Sequence, residues 1–246
     1  MTDIDRAPTT VADFLATVPA PMHGNSAWAS RYAGDIRRII TQTAYDSPRS
    51  RQQHLGPSEL GSRCDRQIVS KLAGLARTNH VTDPWPSIVG TAVHAWLAGA
   101  FAAYNLTYNV VRFVPEQRVY PHADHSGTAD LYDAFEEAVV DHKVLGATTM
   151  AKLRGANGPP RRYRIQLLLY GQGYAALGLP VRRIVLAAYP RTSSSLDGLW
   201  VWEHTPNADD AAQVESTLER VAVLKTIANE VANGMPINKV PRYPDD

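Results

Sequence analysis

Asp141 and Lys143 lie two residues apart at the end of an apolar run, Val139-Val140-Asp141-His142-Lys143, and Gly127-Thr128-Ala129-Asp130-Leu131 puts a second acid on the run before it. Both runs read as β-strands. Side chains alternate along a strand, so Asp141 and Lys143 project to one face. Two carboxylates with an ammonium beside them suit a hard divalent cation that keeps several waters, Mg²⁺ or Mn²⁺. Such a cation can polarise a phosphoryl oxygen, and Lys143 can orient a nucleophile and offset developing charge. The pattern therefore points to metal-assisted phosphodiester cleavage, with Asp130, Asp141 and Lys143 as the catalytic group. The competing reading is a pair of structural salt bridges.

Other residues near these runs are less decided. His94, in Gly90-Thr91-Ala92-Val93-His94-Ala95-Trp96-Leu97, is either a buried, hydrogen-bonded histidine or a metal ligand. Gln166 and Tyr170 are four apart on one helix and share a face, from which they could contact DNA or brace the site. Glu116 reads as solvated or as an outer acid of the site. There is no G-x-x-x-x-G-K-[ST] run, Cys64 has no partner set for nucleophilic catalysis, and Ser193 to Ser195 lack a nucleophile elbow.

Charge supplies the substrate class. The net charge is only +1, yet residues 141–191 carry nine Lys/Arg against the single acid Asp141. Residues 49–77 add Arg49, Arg51, Arg63, Arg66, Lys71 and Arg77 against Glu59 and Asp65. Two basic segments flanking an acidic site fit a polyanion footprint and nominate Arg63, Arg66, Arg161 and Arg162 as nucleic-acid contacts.

The elements that must position these residues follow from periodicity. At 246 residues and 44% hydrophobic, the chain can bury one sizeable core. Residues 1–27 read as a loose leader with a short helix near Val11 to Leu15. Residues 28–235 read as one domain: a helical part to about 105, a sheet core over 106–204 and a helix over 206–233, with an irregular tail at 236–246. Helices are expected at Trp28–Tyr45, from Pro57-Ser58 (Ser58 as N-cap) to Ala76, and at Pro86–Asn105. Strands follow at Tyr108–Phe113, Gln117–Tyr120, Gly127–Phe135 and Ala138–Lys143. Then come helices near Thr148–Arg154 and Arg161–Leu177, strands at Arg183–Tyr189 and Leu199–His204, and a helix opening at Thr205-Pro206. That helix carries a stripe of Val214, Leu218, Val221, Leu224, Ala228 and Val231. The order implies a mixed α/β sheet flanked by helices, with the amino-terminal helices as a lobe over the site. No stretch reaches the roughly 20 apolar residues of a membrane span, and no secretory signal is seen. No membrane partner is expected, and a cytoplasmic setting in a bacterial or phage-infected cell is.

Taken in order, Gly90-x-x-x-His94, Gly127-x-x-Asp130, Val140-Asp141-x-Lys143 and Gln166-x-x-x-Tyr170 resemble the RecB-like branch of the PD-(D/E)XK nucleases. The likeness is nearest to the CRISPR-associated RecB-like exonuclease group and its phage-encoded relatives, over about residues 57–190. The resemblance implies a restriction-endonuclease-like core. It also implies His94, Asp130, Asp141 and the His142 backbone carbonyl as ligands of Mg²⁺ or Mn²⁺, Lys143 as the catalytic lysine, and Gln166 and Tyr170 as the helix motif near DNA. The activity implied is a DNA exonuclease acting on single- or double-stranded ends in replication, repair or recombination, with a recombination or replication protein as partner. The alternatives are a structure-specific endonuclease and a catalytically idle DNA-binding or adaptation protein. Many such relatives hold a [4Fe–4S] cluster by an early Cys and three later ones. Cys64 is the only cysteine here, and one thiolate cannot hold a cluster, so no iron–sulfur centre is expected. Tethering of the two chain ends then falls to packing of the last helix.

Overall fold

The computed structural model describes residues 27–46, 54–76 and 83–243. The short helix expected near Val11 to Leu15, and Arg49, Arg51 and Arg77, lie outside them. The chain divides into two units, residues 1–50 and 51–246. The first unit contributes helix α1 (Ala27–Tyr45), which buries no residue.

The second unit is a five-stranded mixed sheet flanked by helices. Its order is β1 (Phe113–His122), β2 (His125–Asp133), β3 (Ala138–Leu145), β4 (Arg183–Pro190) and β5 (Trp200–His204). The β1–β2, β2–β3 and β4–β5 pairs are antiparallel, and β3–β4 is parallel. A parallel neighbour needs a crossover. Helices α5 (Ala147–Leu153) and α6 (Arg161–Ala176) supply it. Before the sheet come α2 (Pro57–Leu60), α3 (Asp65–Leu72) and α4 (Trp85–Tyr108); α7 (Ala208–Ala232) follows it.

The core lies between the sheet and α6. Leu167, Leu169, Tyr174 and Ile165 of α6 are fully buried with Val119, Ala129, Val139, Ile184 and Leu186 of the strands. A helix apolar on nearly every side belongs inside a protein. α7 starts at Asn207, whose side chain accepts from the N–H groups of Asp209 and Asp210 while the Asp210 carboxylate accepts from Asn207 N–H at 3.0 Å. This reciprocal cap moves the start past the expected Thr205-Pro206. The buried stripe also holds Thr217, while Leu218 packs partly buried against the core.

The expected 57–76 helix is broken in two. Cα of Arg162 on α6 would stand 2.7 Å from a Cβ at Gly61, and Arg161 Nη1 donates to Gly61 O at 3.1 Å. The crossing α6 leaves no room for a continuous helix. Gly56, not Ser58, is the N-cap, with Pro57 in the first turn and Glu59 reaching back to Gly56 N–H at 3.3 Å. Tyr108 belongs to α4 rather than to a strand, because Asn109 ends that helix in the left-handed region at φ 49°. The Asn105 side chain then accepts from the N–H groups of Arg112 and Phe113 and donates to Phe113 O, starting β1 as one strand rather than two.

One expectation about membranes is corrected. α4 has 24 residues without Asp, Glu, Lys or Arg, and is long and apolar enough to cross a membrane by length and composition. It lies on the sheet through Leu97, its one buried residue, and through Phe101, whose ring centroid is 4.8 Å from that of Phe113.

Candidate metal centre

The centre forms where β2 and β3 part. Their ladder pairs Asp133 with Ala138, Tyr132 with Val139 and Leu131 with Val140, and stops there. The next pair in that register is Asp130 and Asp141. Instead of a ladder bond, the His142 backbone N–H donates to Asp130 Oδ2 at 2.7 Å. A side-chain oxygen takes the place of the missing strand neighbour, which satisfies an otherwise orphaned donor. In an extended strand a residue's N–H and C=O point to the same side, so the His142 carbonyl opens toward the same gap.

Asp141 and Lys143 face α6. Gln166 Nε2 donates to Asp141 Oδ1 at 2.8 Å, and the Lys143 ammonium ion-pairs with Asp141 Oδ2. That Oδ2 is buried and accepts no hydrogen bond of normal geometry. Lys143 Nζ stands 5.3 Å from the Tyr163 ring centroid, and the Arg162 guanidinium stands 5.0 Å from it. Tyr170 OH is 3.4 Å from Gln166 Nε2. Gln166 and Tyr170 are both buried, so they brace Asp141; this corrects their assignment to DNA contact.

His142 points the other way. Its ring stacks on Phe101 at 5.7 Å and meets the His94 ring edge-on at 6.1 Å, while Tyr189 OH is 3.3 Å from His142 Nδ1. His94 Nδ1 lies 3.3 Å from Asp130 Oδ1. α4 thus delivers His94 to the same carboxylate that holds β3. Ligand atoms of His94, Glu116 and Asp130 all lie within 4.8 Å of one another. Asp141 stands outside that set.

The electrostatics follow from burial and proximity. Contact with Asp130 raises the His94 pKa above its usual 6.5. Burial alone would raise Asp130, but His94 and Lys143 hold it below the ordinary carboxylate value. Burial pushes Asp141 up to about 6 against the pull of Lys143. It pushes His142 down to about 4, so this imidazole is neutral at pH 7. Two carboxylates, a histidine and a carbonyl opening to one gap, with a buried carboxylate oxygen lacking a hydrogen bond, fit a hard divalent cation.

The basic residues divide. Arg66 donates to Val240 O at 2.9 Å and Asn238 O at 3.0 Å, and Arg66 N–H reaches Pro241 O. Arg161 donates to Gly61 O and to Thr217 Oγ1 at 2.9 Å. Their guanidiniums hold the fold together, a task that the expectation of nucleic-acid contacts did not include. Arg162 and Arg63 are exposed, and Arg162 adjoins Lys143 through Tyr163. The chain ends are tied by more than packing. Arg220 of α7 ion-pairs with Asp65 and donates to Ser62 O at 2.8 Å and Arg63 O at 3.0 Å. Cys64 is buried at the head of α3. The sequence reading gave Tyr163, Tyr189 and Phe101 no place at the centre. Tyr163 alone had a signal there, as the aromatic interleaved in Arg161-Arg162-Tyr163-Arg164.

No family model matches the chain, and no curated protein matches it. Among solved structures it is similar to an alkaline exonuclease, LHK-Exo, from Laribacter hongkongensis, also solved in complex with dAMP. The identity is 13%, over 75% of this chain and 94% of that one, at a TM-score of 0.49. A phage-related exonuclease from Haemophilus somnus 129PT is 12% identical over 74% of this chain and 96% of that one, at a TM-score of 0.44. Likenesses this distant say nothing of this chain's own activity.

Proposed function

We propose that this chain is a Mg²⁺- or Mn²⁺-dependent deoxyribonuclease of the RecB-like PD-(D/E)XK type, hydrolysing phosphodiester bonds at DNA ends in replication, repair or recombination. The observation that carries the reading is the parting of β2 and β3 at Asp130 and Asp141, with Lys143 paired to Asp141 and His94 beside Asp130. His94, Asp130, Asp141 and the His142 carbonyl would hold the cation. When bound, it supplies Lewis-acid polarisation of a phosphoryl oxygen and a water acidic enough to act at neutral pH.

The chain's own residues do the rest. Lys143 places a positive charge beside Asp141, where it can orient the attacking water and offset charge building on the phosphoryl oxygens. Gln166 fixes the Asp141 carboxylate in one orientation, and Tyr170 fixes Gln166. The His142 N–H does the same for Asp130. Arg162, exposed and 5.0 Å from the same Tyr163 ring that Lys143 adjoins, can take a flanking phosphate.

Purified protein incubated with linear and covalently closed circular DNA, with Mg²⁺, Mn²⁺ or EDTA, tests the reading. Metal-dependent loss of linear DNA alone supports it. Cutting of closed circles makes the protein an endonuclease. Absence of metal-dependent cleavage, or wild-type activity in Asp141→Ala and Lys143→Ala, makes it an idle protein on the same fold.

A further inference from the structure

Asp141 and Lys143 of β3 each meet a different residue of α6. Gln166 donates to Asp141 Oδ1 at 2.8 Å, and the Tyr163 ring centroid lies 5.3 Å from Lys143 Nζ. Two residues two apart on a strand are separated by about 6.6 Å. Tyr163 and Gln166, three apart on one helix face, are separated by about 4.5 Å along its axis. The order reverses between the two elements, because a crossover helix runs back along its strand. Tyr163 is fixed in the first turn: its N–H donates to Pro160 O at 3.0 Å, and its ring is half-buried against the core.

The Lys143 ammonium therefore has two anchors, the Asp141 carboxylate and the face of a ring. A divalent cation would claim the first. Gln166 holds Oδ1, which leaves the cation Oδ2, the oxygen that Lys143 pairs with. The cation would also repel the ammonium, so the ion pair weakens as the centre fills. Lys143 has a flexible four-carbon stem, and its side chain is 18% exposed, so a route toward solvent is open. An aromatic face attracts a cation within about 6 Å of its centroid, more strongly where water is excluded. It is uncharged, so it neither competes for the metal nor repels a phosphodiester. A carboxylate in its place would do both. The Tyr163 hydroxyl is engaged with Arg162, accepting from Nη2 at 3.3 Å, so Lys143 meets the ring rather than the hydroxyl.

We propose that Tyr163 is a positioning residue: its ring face holds the Lys143 ammonium beside Asp141 when a divalent cation claims the carboxylate. The inference rests on the deoxyribonuclease reading above. The Arg162 guanidinium lies 5.0 Å from the same ring. One aromatic side chain thus sets the spacing between the lysine of the centre and an arginine open to a flanking phosphate.

The first test needs no DNA. In the full chain with ¹³C-labelled lysine, the Lys143 ε-methylene resonance, assigned with Lys143→Arg, should be shifted upfield by the Tyr163 ring. It should stay upfield on saturation with Mg²⁺ and return to the ordinary position in Tyr163→Leu. A resonance that returns to the ordinary position on adding Mg²⁺ overturns the proposal. The second test reads kcat on linear DNA at saturating substrate. Tyr163→Leu should lower it about tenfold, and Tyr163→Phe should restore it to within about twofold, because phenylalanine keeps the face. Phenylalanines with one, two and three ring fluorines at position 163 keep the shape while weakening the quadrupole. Across that series kcat should fall in step with fluorine count. A flat series overturns the role of Tyr163 and leaves the metal centre standing. A wild-type protein without metal-dependent cleavage overturns both readings together.

Discussion

The His142 backbone N–H and the Asp130 Oδ2 oxygen are 2.7 Å apart, and that contact spans the place where two strands of the sheet stop pairing. One carboxylate is therefore asked both to hold β3 in place and to present a ligand atom. Its two tasks separate by substitution. Asp130→Asn keeps an oxygen that can accept from His142 N–H and loses the charge. Asp130→Ala loses both. Mn²⁺ affinity should collapse in each, while thermal melting should show Asp130→Ala as the less stable of the two by about 1–2 kcal/mol. Equal stability in the two variants would remove the strand-holding role.

Gly127 lies three residues before Asp130 for a steric reason. A Cβ there would stand 2.7 Å from Pro57 Cδ and 3.0 Å from Tyr170 Cε1. Neither atom is at the free end of a flexible side chain. Gly127→Ala should destabilise the protein by about 1–3 kcal/mol. It should also lower cleavage at temperatures where the protein stays folded, because displacement of Tyr170 passes through Gln166 to Asp141. Unchanged activity in folded Gly127→Ala would break that chain of contacts.

The pH dependence has a definite sign. Asp141 is raised from 3.8 to about 6 by burial, so its contribution to stability is full below pH 3.8 and is lost as pH rises through 6. Metal-free wild type should therefore lose stability relative to Asp141→Asn between pH 4 and 7. His94 is also raised and must shed its proton to bind a cation. The rise in melting temperature on adding Mn²⁺ should accordingly be larger at pH 7.5 than at pH 5.5. A Mn²⁺ effect independent of pH over that range would show that these groups are not ligands.

The arginines make a paired prediction. Arg162→Ala should weaken DNA binding and reduce the slope of log K against log salt by about 1. Arg66→Ala should leave that slope unchanged. It should lower stability instead, because it strips donors from Val240 O and Asn238 O. Binding measured from low to moderate salt, alongside melting curves, checks both.

The alternation of apolar and polar residues was enough to place β3 and to put Asp141 and Lys143 on one face, because both depend on local periodicity alone. The order of strands and helices likewise implied a mixed sheet. What stayed hidden was set by contacts distant in sequence. Nothing in Pro57 to Ala76 announces the break at Gly61, since the cause is α6 crossing a hundred residues later. Gln166 and Tyr170 could equally have faced DNA or the core, and only the packing of α6 decides between them. Arg66 and Arg161 look like phosphate ligands in a basic run, yet their partners are carbonyl and hydroxyl oxygens brought close by the fold. Glu116 was the hardest to read, because its placement depends on a left-handed backbone, φ 52°, that no spacing rule encodes.

The tie between Arg66 and the Val240 carbonyl joins residues 174 positions apart. Closing a loop of that size rather than one of 20 residues costs only about 2 kcal/mol more in chain entropy, since the cost grows with the logarithm of length. A few charge-assisted hydrogen bonds from Arg66 and Arg220 offset that amount. The consequence is a shared cap: the Arg66 N–H in the first turn of α3, which has no partner within its own helix, is satisfied by Pro241 O, so the start of this unit is closed off by residues 238–241.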